Sequence, residues 1–142
     1  LYQEENKLKK KSIIEAKFLR NRREAKYTLL WSEMASIEQE EVLSLIKLQP
    51  DESVILGYKE GKSYWWILTN LKLILKNGKS LDYFDLDNIE KVEVNQVFEN
   101  ETSKKEVSRL ELKTKNEEVV ELKVELGLWT TLYDLFLFIV KK

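Results

Sequence analysis

Asp82, Asp85 and Asp87 stand beside Asn88, a run of oxygen donors of the kind that calcium or magnesium takes. The run lacks the alternating positions and closing glutamate of an EF-hand loop. Asp85 or Asp87 capping a short helical turn explains it with less, and no metal is expected. A larger set is basic: Lys7, Lys9, Lys10, Lys11, Lys17, Arg20, Arg22, Arg23 and Lys26, interleaved with Leu8, Ile13, Ile14, Phe18 and Leu19. A helix of that composition suits an anionic surface, whether lipid headgroups, nucleic acid or acidic protein. Lys59 and Lys62 flank Glu60-Gly61 and are weaker candidates for a phosphate. Trp65 and Trp66 could stack on bases if exposed among basic residues. Neighbours on a strand face opposite ways, however, so one ring is expected in the core and the other beneath whatever covers the sheet.

Other chemistry is excluded by absence. The chain has no cysteine and no histidine, which removes disulfides, thiolate and imidazole metal sites, cysteine nucleophiles and every histidine-based general base. Paired-carboxylate catalysis needs two acids in a cleft with their pKa values pushed apart, and the pattern indicates no such pair. The sequence therefore reads as non-enzymatic and without a cofactor.

The elements that hold these residues divide at Pro50. Before it no glycine or proline interrupts 49 residues rich in Glu, Lys, Leu, Ala, Ile and Arg, all but isoleucine strong helix formers. Two capping-box patterns occur, Ser12 to Glu15 and Ser36 to Gln39. The reading is a basic helix over about 4–30 and an amphipathic helix over about 33–48, with Val42, Leu43, Leu45, Ile46 and Leu48 as its apolar stripe. The net charge of −1 conceals an asymmetry. Residues 1–30 carry nine Lys/Arg against four Glu, a net of +5, and the remainder carries fifteen against twenty-one, a net of −6.

After Pro50 the period shortens. Seven segments, 53–59, 64–69, 71–76, 79–84, 89–98, 106–114 and 119–125, are rich in Val, Ile, Leu, Trp and Tyr and separated by turn signals. Asn77-Gly78 is the favoured two-residue hairpin turn. In the last two segments Leu110, Leu112, Val120, Leu122 and Val124 alternate with charged residues, so those strands have one wet face. Tyr64 to Leu68 and Leu73 to Leu75 are apolar on both faces, so the first sheet needs a cover, and the 33–48 helix is the one available. The closing run from Gly127 to Val140 fits about four helical turns. Trp129, Leu132, Tyr133, Phe136 and Val140 make its inward stripe, with Phe138 left outside. No apolar run reaches the roughly 18–20 residues of a membrane span.

Seven strands followed by a helix containing a tryptophan resemble the pleckstrin-homology (PH) superfold, and more closely its bacterial PH-like and GRAM-like relatives. The likeness rests on Asp51 to Tyr58 as an opening strand, on Trp66-Ile-Leu-Thr-Asn70 with Leu71 to Leu75 as a hairpin, and on Leu86 to Glu93 as the passage into the fifth strand. It covers about residues 52–142. The resemblance implies a seven-stranded, partly open barrel of two orthogonal antiparallel sheets, closed at one end by the C-terminal helix. It also implies a protein that binds phosphoinositides, other lipids, peptides or its own kind and rarely catalyses. Family members that bind phosphoinositides place a lysine and then a Lys/Arg-x-Arg across the first hairpin. Here Lys59 and Lys62 are present, the arginine is absent and Glu60 intervenes.

The sequence thus predicts a mainly β fold with helices, in two parts: a helical extension over 1–49 and a PH-like domain over 50–142. The expected function is a non-catalytic interaction module that binds a protein partner or self-associates. The alternative is a peripheral membrane module that meets anionic lipid through the basic helix, with Phe138 as a candidate apolar contact. Nucleic acid and small-molecule substrates are not expected as partners. A cytoplasmic location, extending to the inner face of the membrane, completes the expectation.

Overall fold

The computed structural model describes residues 2–22, 24–94 and 107–140. Helix α1 (Tyr2–Asn21) leads into a short strand β1 (Thr28–Leu30), a 3₁₀ turn at Trp31–Glu33 and helix α2 (Ser36–Leu43). Strands β2 (Val54–Lys59), β3 (Tyr64–Thr69), β4 (Lys72–Asn77) and β5 (Ser80–Asp85) follow. After a 3₁₀ turn at Leu86–Asn88 come β6 (Ile89–Glu93), β7 (Arg109–Thr114), β8 (Val119–Lys123) and helix α3 (Trp129–Val140). Strands β1 to β5 form one antiparallel sheet in chain order, and β6 to β8 form a second. The fold is mixed α/β, with two antiparallel sheets and a C-terminal helix, and among the described residues no strand pairing joins the sheets into a closed barrel.

The turn chemistry acts where expected. Gly78 takes the positive φ of +63° that the β4–β5 hairpin needs. Thr69 and Asn70 build the β3–β4 corner. The Thr69 hydroxyl accepts from Leu71 and Lys72 N–H (3.0 and 2.8 Å) and donates to buried Glu52 (2.5 Å). The Asn70 amide bridges Ser53 N–H and the Asp51 carbonyl (2.8 and 3.0 Å). These residues tie the entry of β2 to the β3–β4 turn.

Two cores lie on opposite faces of the larger sheet. Between the sheets, Leu56, Trp66, Leu68 and Leu73 meet Leu110, Leu112 and Leu122, with Leu132, Leu135 and Phe136 of α3. On the outer face Trp65, Ile67 and Ile74 are fully buried with Val42 of α2, and Trp31, Ile46, Leu48 and Leu81 pack around them. The expected cover is therefore in place, and burying each such side chain stabilises by about 1.5–3 kcal/mol. The helical part of the cover is shorter than 33–48: it ends at Leu43, and Ile46 and Leu48 reach the sheet from the following loop. Its N-cap is Ala35, not Ser36, and the Gln39 side chain donates to the Trp31 carbonyl (2.6 Å). Gly57 stands opposite Ile67 on this face, and a Cβ there would lie 2.7 Å from the Trp66 carbonyl oxygen.

The first segment differs most from expectation. The helix predicted to run to about residue 30 ends at Asn21, and Thr28–Leu30 form an eighth strand paired with β2. Tertiary contacts stop the helix where the sequence offers no breaker. The Thr131 hydroxyl donates to the Asn21 carbonyl (2.9 Å), and the Arg22 guanidinium makes a two-pronged pair with Glu33. The Glu125 carboxylate then accepts N–H bonds from Lys26 (2.8 Å), Tyr27 and Thr28 (2.9 Å each), and the Thr28 hydroxyl (2.8 Å). Glu125 follows β8, so one side chain fastens the edge of the first sheet to the end of the second. Residues before Pro50 also supply Ile14, Phe18 and Leu30 to the central core.

In α3 the buried set is Thr131, Leu132, Leu135, Phe136 and Ile139, while Trp129, Tyr133 and Val140 are only partly buried. The stripe is rotated from the expected one because α3 is covered from two directions, by β6 and β7 on one side and by α1 on another. The sixth strand ends at Glu93, and the remainder of the predicted 89–98 segment beyond Val94 lies outside the described residues.

Candidate functional site

The basic residues expected to meet an anionic surface are not equivalent once folded. The side chains of Lys7, Lys9 and Lys10, and Arg23 altogether, lie outside the described part of the structure. Of the others, Arg22 pairs with Glu33 and lies 5.4 Å from the Phe18 ring. That carboxylate raises the guanidinium pKa above its ordinary value through the hydrogen bond, and Arg22 in turn lowers that of Glu33. Lys26 sits over the Tyr27 ring at 5.3 Å, and Lys11 is 4.0 Å from Glu15 one turn along the helix. Arg20 is exposed in the last turn of α1.

Helix α1 buries one apolar stripe and leaves two apolar side chains outside it. Ile14 and Phe18 are fully buried against the body, whereas Ile13 and Leu19, on either flank of that stripe, are 47% and 46% exposed. Phe138 of α3 is 38% exposed, with the Lys17 ammonium 5.9 Å from its ring centroid. The exposed surface of α1 therefore presents Ile13 one turn from Lys17 and Leu19 next to Arg20, with Phe138 beside Lys17. Phe138 had been expected outside with nothing in its own helix to bury it, and α1 gives it a cation as its neighbour.

Lys59 has a structural assignment. Its side chain is only 5% exposed, and its ammonium lies 2.5 Å from Glu38 and 3.2 Å from Glu41 of α2 while donating to the Gly61 carbonyl (3.0 Å). It fastens the covering helix to the sheet. Lys62 is exposed on the β2–β3 turn. The structure does not bring the two lysines together around a phosphate-sized space. Asp85 occupies the N-cap position of the 3₁₀ turn before β6 but makes no side-chain cap bond, so its geometry matches only half of the expected capping role. Among the described residues no group of three or more Asp or Glu side chains is placed to hold a metal ion.

One cleft of about 200 Å³ opens beside the same hairpin, lined by Tyr58, Glu60, Gly61, Ser63, Tyr64 and Lys123. The Tyr58 hydroxyl donates to Glu60 Oε2 (2.8 Å), and the Lys123 ammonium is 3.6 Å from the same oxygen. The Tyr64 hydroxyl accepts the Lys123 N–H (2.8 Å), and the Trp66 indole donates to the Lys123 carbonyl (2.8 Å). Burial raises the pKa of both phenols; the Glu60 carboxylate adds to this at Tyr58, and the Lys123 N–H partly offsets it at Tyr64. Both are therefore neutral, with a proton to donate, at any ordinary pH. Sequence reasoning missed this cleft because Lys123 lies some sixty residues from the hairpin, and nothing local marks it as a partner.

No family model, no curated protein and no solved structure matches this chain. No described helix is long and apolar enough to cross a membrane.

Proposed function

We propose that this chain is a PH-like, non-catalytic interaction module that docks on protein surfaces through the outer face of α1. Two antiparallel meanders with a helix packed against the second support the PH-like reading. The non-catalytic reading is supported by the engagement of Glu52, Lys59 and Glu125 in bonds that hold elements together. The observation that carries the docking surface is the contrast on α1 between fully buried Ile14 and Phe18 and half-exposed Ile13 and Leu19. The second pair takes no part in packing α1 on the body. The surface it suits is acidic and partly apolar, and a second copy offers one: residues 1–30 carry +5 and residues 31–142 carry −6. The contact would set the basic helix of one copy on the acidic body of another, which a two-fold pairing does twice over and a head-to-tail one once.

Sedimentation velocity over a wide concentration range, at low and near-physiological salt, tests this with Ile13→Ser/Leu19→Ser beside the wild type. Association that fades with salt and is absent in the variant, at unchanged melting temperature, is the expected result. A wild type that stays monomeric throughout would refute self-association. The second reading, an anionic lipid surface, is favoured by exposed Phe138 beside Lys17 and by exposed Leu19 next to Arg20. Flotation with anionic vesicles, lost in Lys17→Glu/Arg20→Glu, would put it first. Point substitutions are required in both tests, because deleting residues 1–30 would also remove Ile14, Phe18 and β1 from the core.

A further inference from the structure

We infer that the cleft between the β2–β3 hairpin and the end of β8 is a receptor for the guanidinium group of an arginine side chain, and that Lys123 occupies it as an internal competitor. The site is separate from the α1 face, and nothing in this inference depends on that reading.

The cleft has one carboxylate, two phenol rings and space for a single side chain. Glu60 supplies the charge. Its Oε2 receives the Tyr58 hydroxyl at 2.8 Å and has the Lys123 ammonium at 3.6 Å, and no described bond engages Oε1. A guanidinium presents a planar pair of N–H donors to such a carboxylate, which a lysine ammonium cannot do. Tyr58 and Tyr64 pack edge to face, with ring centroids 6.4 Å apart and planes at 64°, and both line the cleft, Tyr58 almost wholly buried and Tyr64 partly exposed. The Tyr64 oxygen retains a lone pair after accepting the Lys123 N–H. Glu125 adds negative potential at Tyr58, whereas at Tyr64 that of Glu121 is opposed by Arg109, with which it pairs at 2.7 Å.

The natural objection is that Lys123 already neutralises Glu60, and its geometry answers this. At 3.6 Å, with both side chains about half exposed (50% and 47%), the pair is loose. Such an exposed pair holds its partners weakly. The ammonium is a tethered cation standing where a stronger one would bind, so removing it should open the site. An anion site predicts the reverse, because Lys123 would then be the main attraction and Glu60 a repulsion.

The test is a titration of the full chain with N-acetyl-arginine amide, followed through the Tyr64 and Gly61 resonances. Lys123→Met should bind about two- to fivefold more tightly than the wild type, the worth of an exposed ion pair. Glu60→Gln should bind at least about tenfold more weakly, as expected for losing hydrogen bonds to a charged group. Acetyl-lysine amide should bind more weakly than the arginine derivative in all three. Lys123→Met binding no tighter than wild type, Glu60→Gln binding equally well, or inorganic phosphate shifting the same resonances through Lys123 would each overturn the assignment.

Discussion

Replacing Glu125 should destabilise the fold out of proportion to its partial exposure, by an amount that follows from what its carboxylate holds. One oxygen accepts three hydrogen bonds, from Tyr27 N–H, Thr28 N–H and the Thr28 hydroxyl, and the other accepts Lys26 N–H. Thr28 is fully buried, Tyr27 half-buried and Lys26 exposed. In Glu125→Ala the Lys26 amide is rehydrated at little cost, while two donors on Thr28 are left away from water at about 1–3 kcal/mol each. With a smaller share from Tyr27, the expected loss is roughly 4 kcal/mol. Glu125→Gln keeps one acceptor oxygen but turns an amide N–H₂ toward Lys26 N–H, so the loss should be roughly 1–2 kcal/mol.

The charge of Glu125 supplies a second signature. Burial pushes its pKa up, but the bonds from Lys26, Thr28 and Tyr27 outweigh burial and hold it below the ordinary value of 4.5. A carboxyl with a depressed folded-state pKa adds stability above its unfolded value and loses it as the pH falls through the folded one. The wild type should therefore lose this share on acidification below pH 4.5, whereas Glu125→Gln has no such share to lose. Urea unfolding followed by tryptophan fluorescence across that range measures both effects. Glu125→Ala within about 1 kcal/mol of wild type would mean that water replaces the carboxylate and the clamp reasoning is wrong.

Two further outcomes rest on other contacts. Gly57→Ala would set a methyl group 2.7 Å from the Trp66 carbonyl oxygen and 2.8 Å from Ile67 Cγ2, so the strand must shift, at about 1–3 kcal/mol in chemical denaturation. Phe18→Ala should cost about 3–5 kcal/mol, whereas Ile13→Ser, one turn away on the outer face, should stay within about 0.5 kcal/mol. Equal effects at the two positions would contradict the two-faced reading of α1.

The parts of this fold that were legible in the sequence are those whose determinants are local. Alternation in β7 and β8, the Asn77-Gly78 turn and the opposed rings of Trp65 and Trp66 each follow from neighbours within a few residues. The cover over Trp65 was legible for a different reason: an apolar face on both sides of a strand implies a second layer, and only one apolar stripe stood unassigned. Strand β1 was not legible, because Thr28, Leu29 and Leu30 extend a run of helix formers, and what makes them a strand is a carboxylate 97 residues away. The sequestering of Lys59 was hidden in the same way, since Glu38 and Glu41 form one receptor only after α2 is laid on the sheet. The Glu60–Lys123 cleft likewise exists only in three dimensions.

The Glu125 clamp also governs when the chain can finish folding. Its bonds span 97 to 99 residues, and the Thr131–Asn21 bond that ends α1 spans 110. At a synthesis rate of about 5–20 residues per second, roughly 5–20 seconds separate the making of residues 21–28 from that of their anchors. For that interval Ile14 and Phe18, destined for the core, share an uncovered basic helix with Ile13 and Leu19. The segment that supplies α1 and β1 is thus made well before the residues that anchor it, and its seating on the body waits for them.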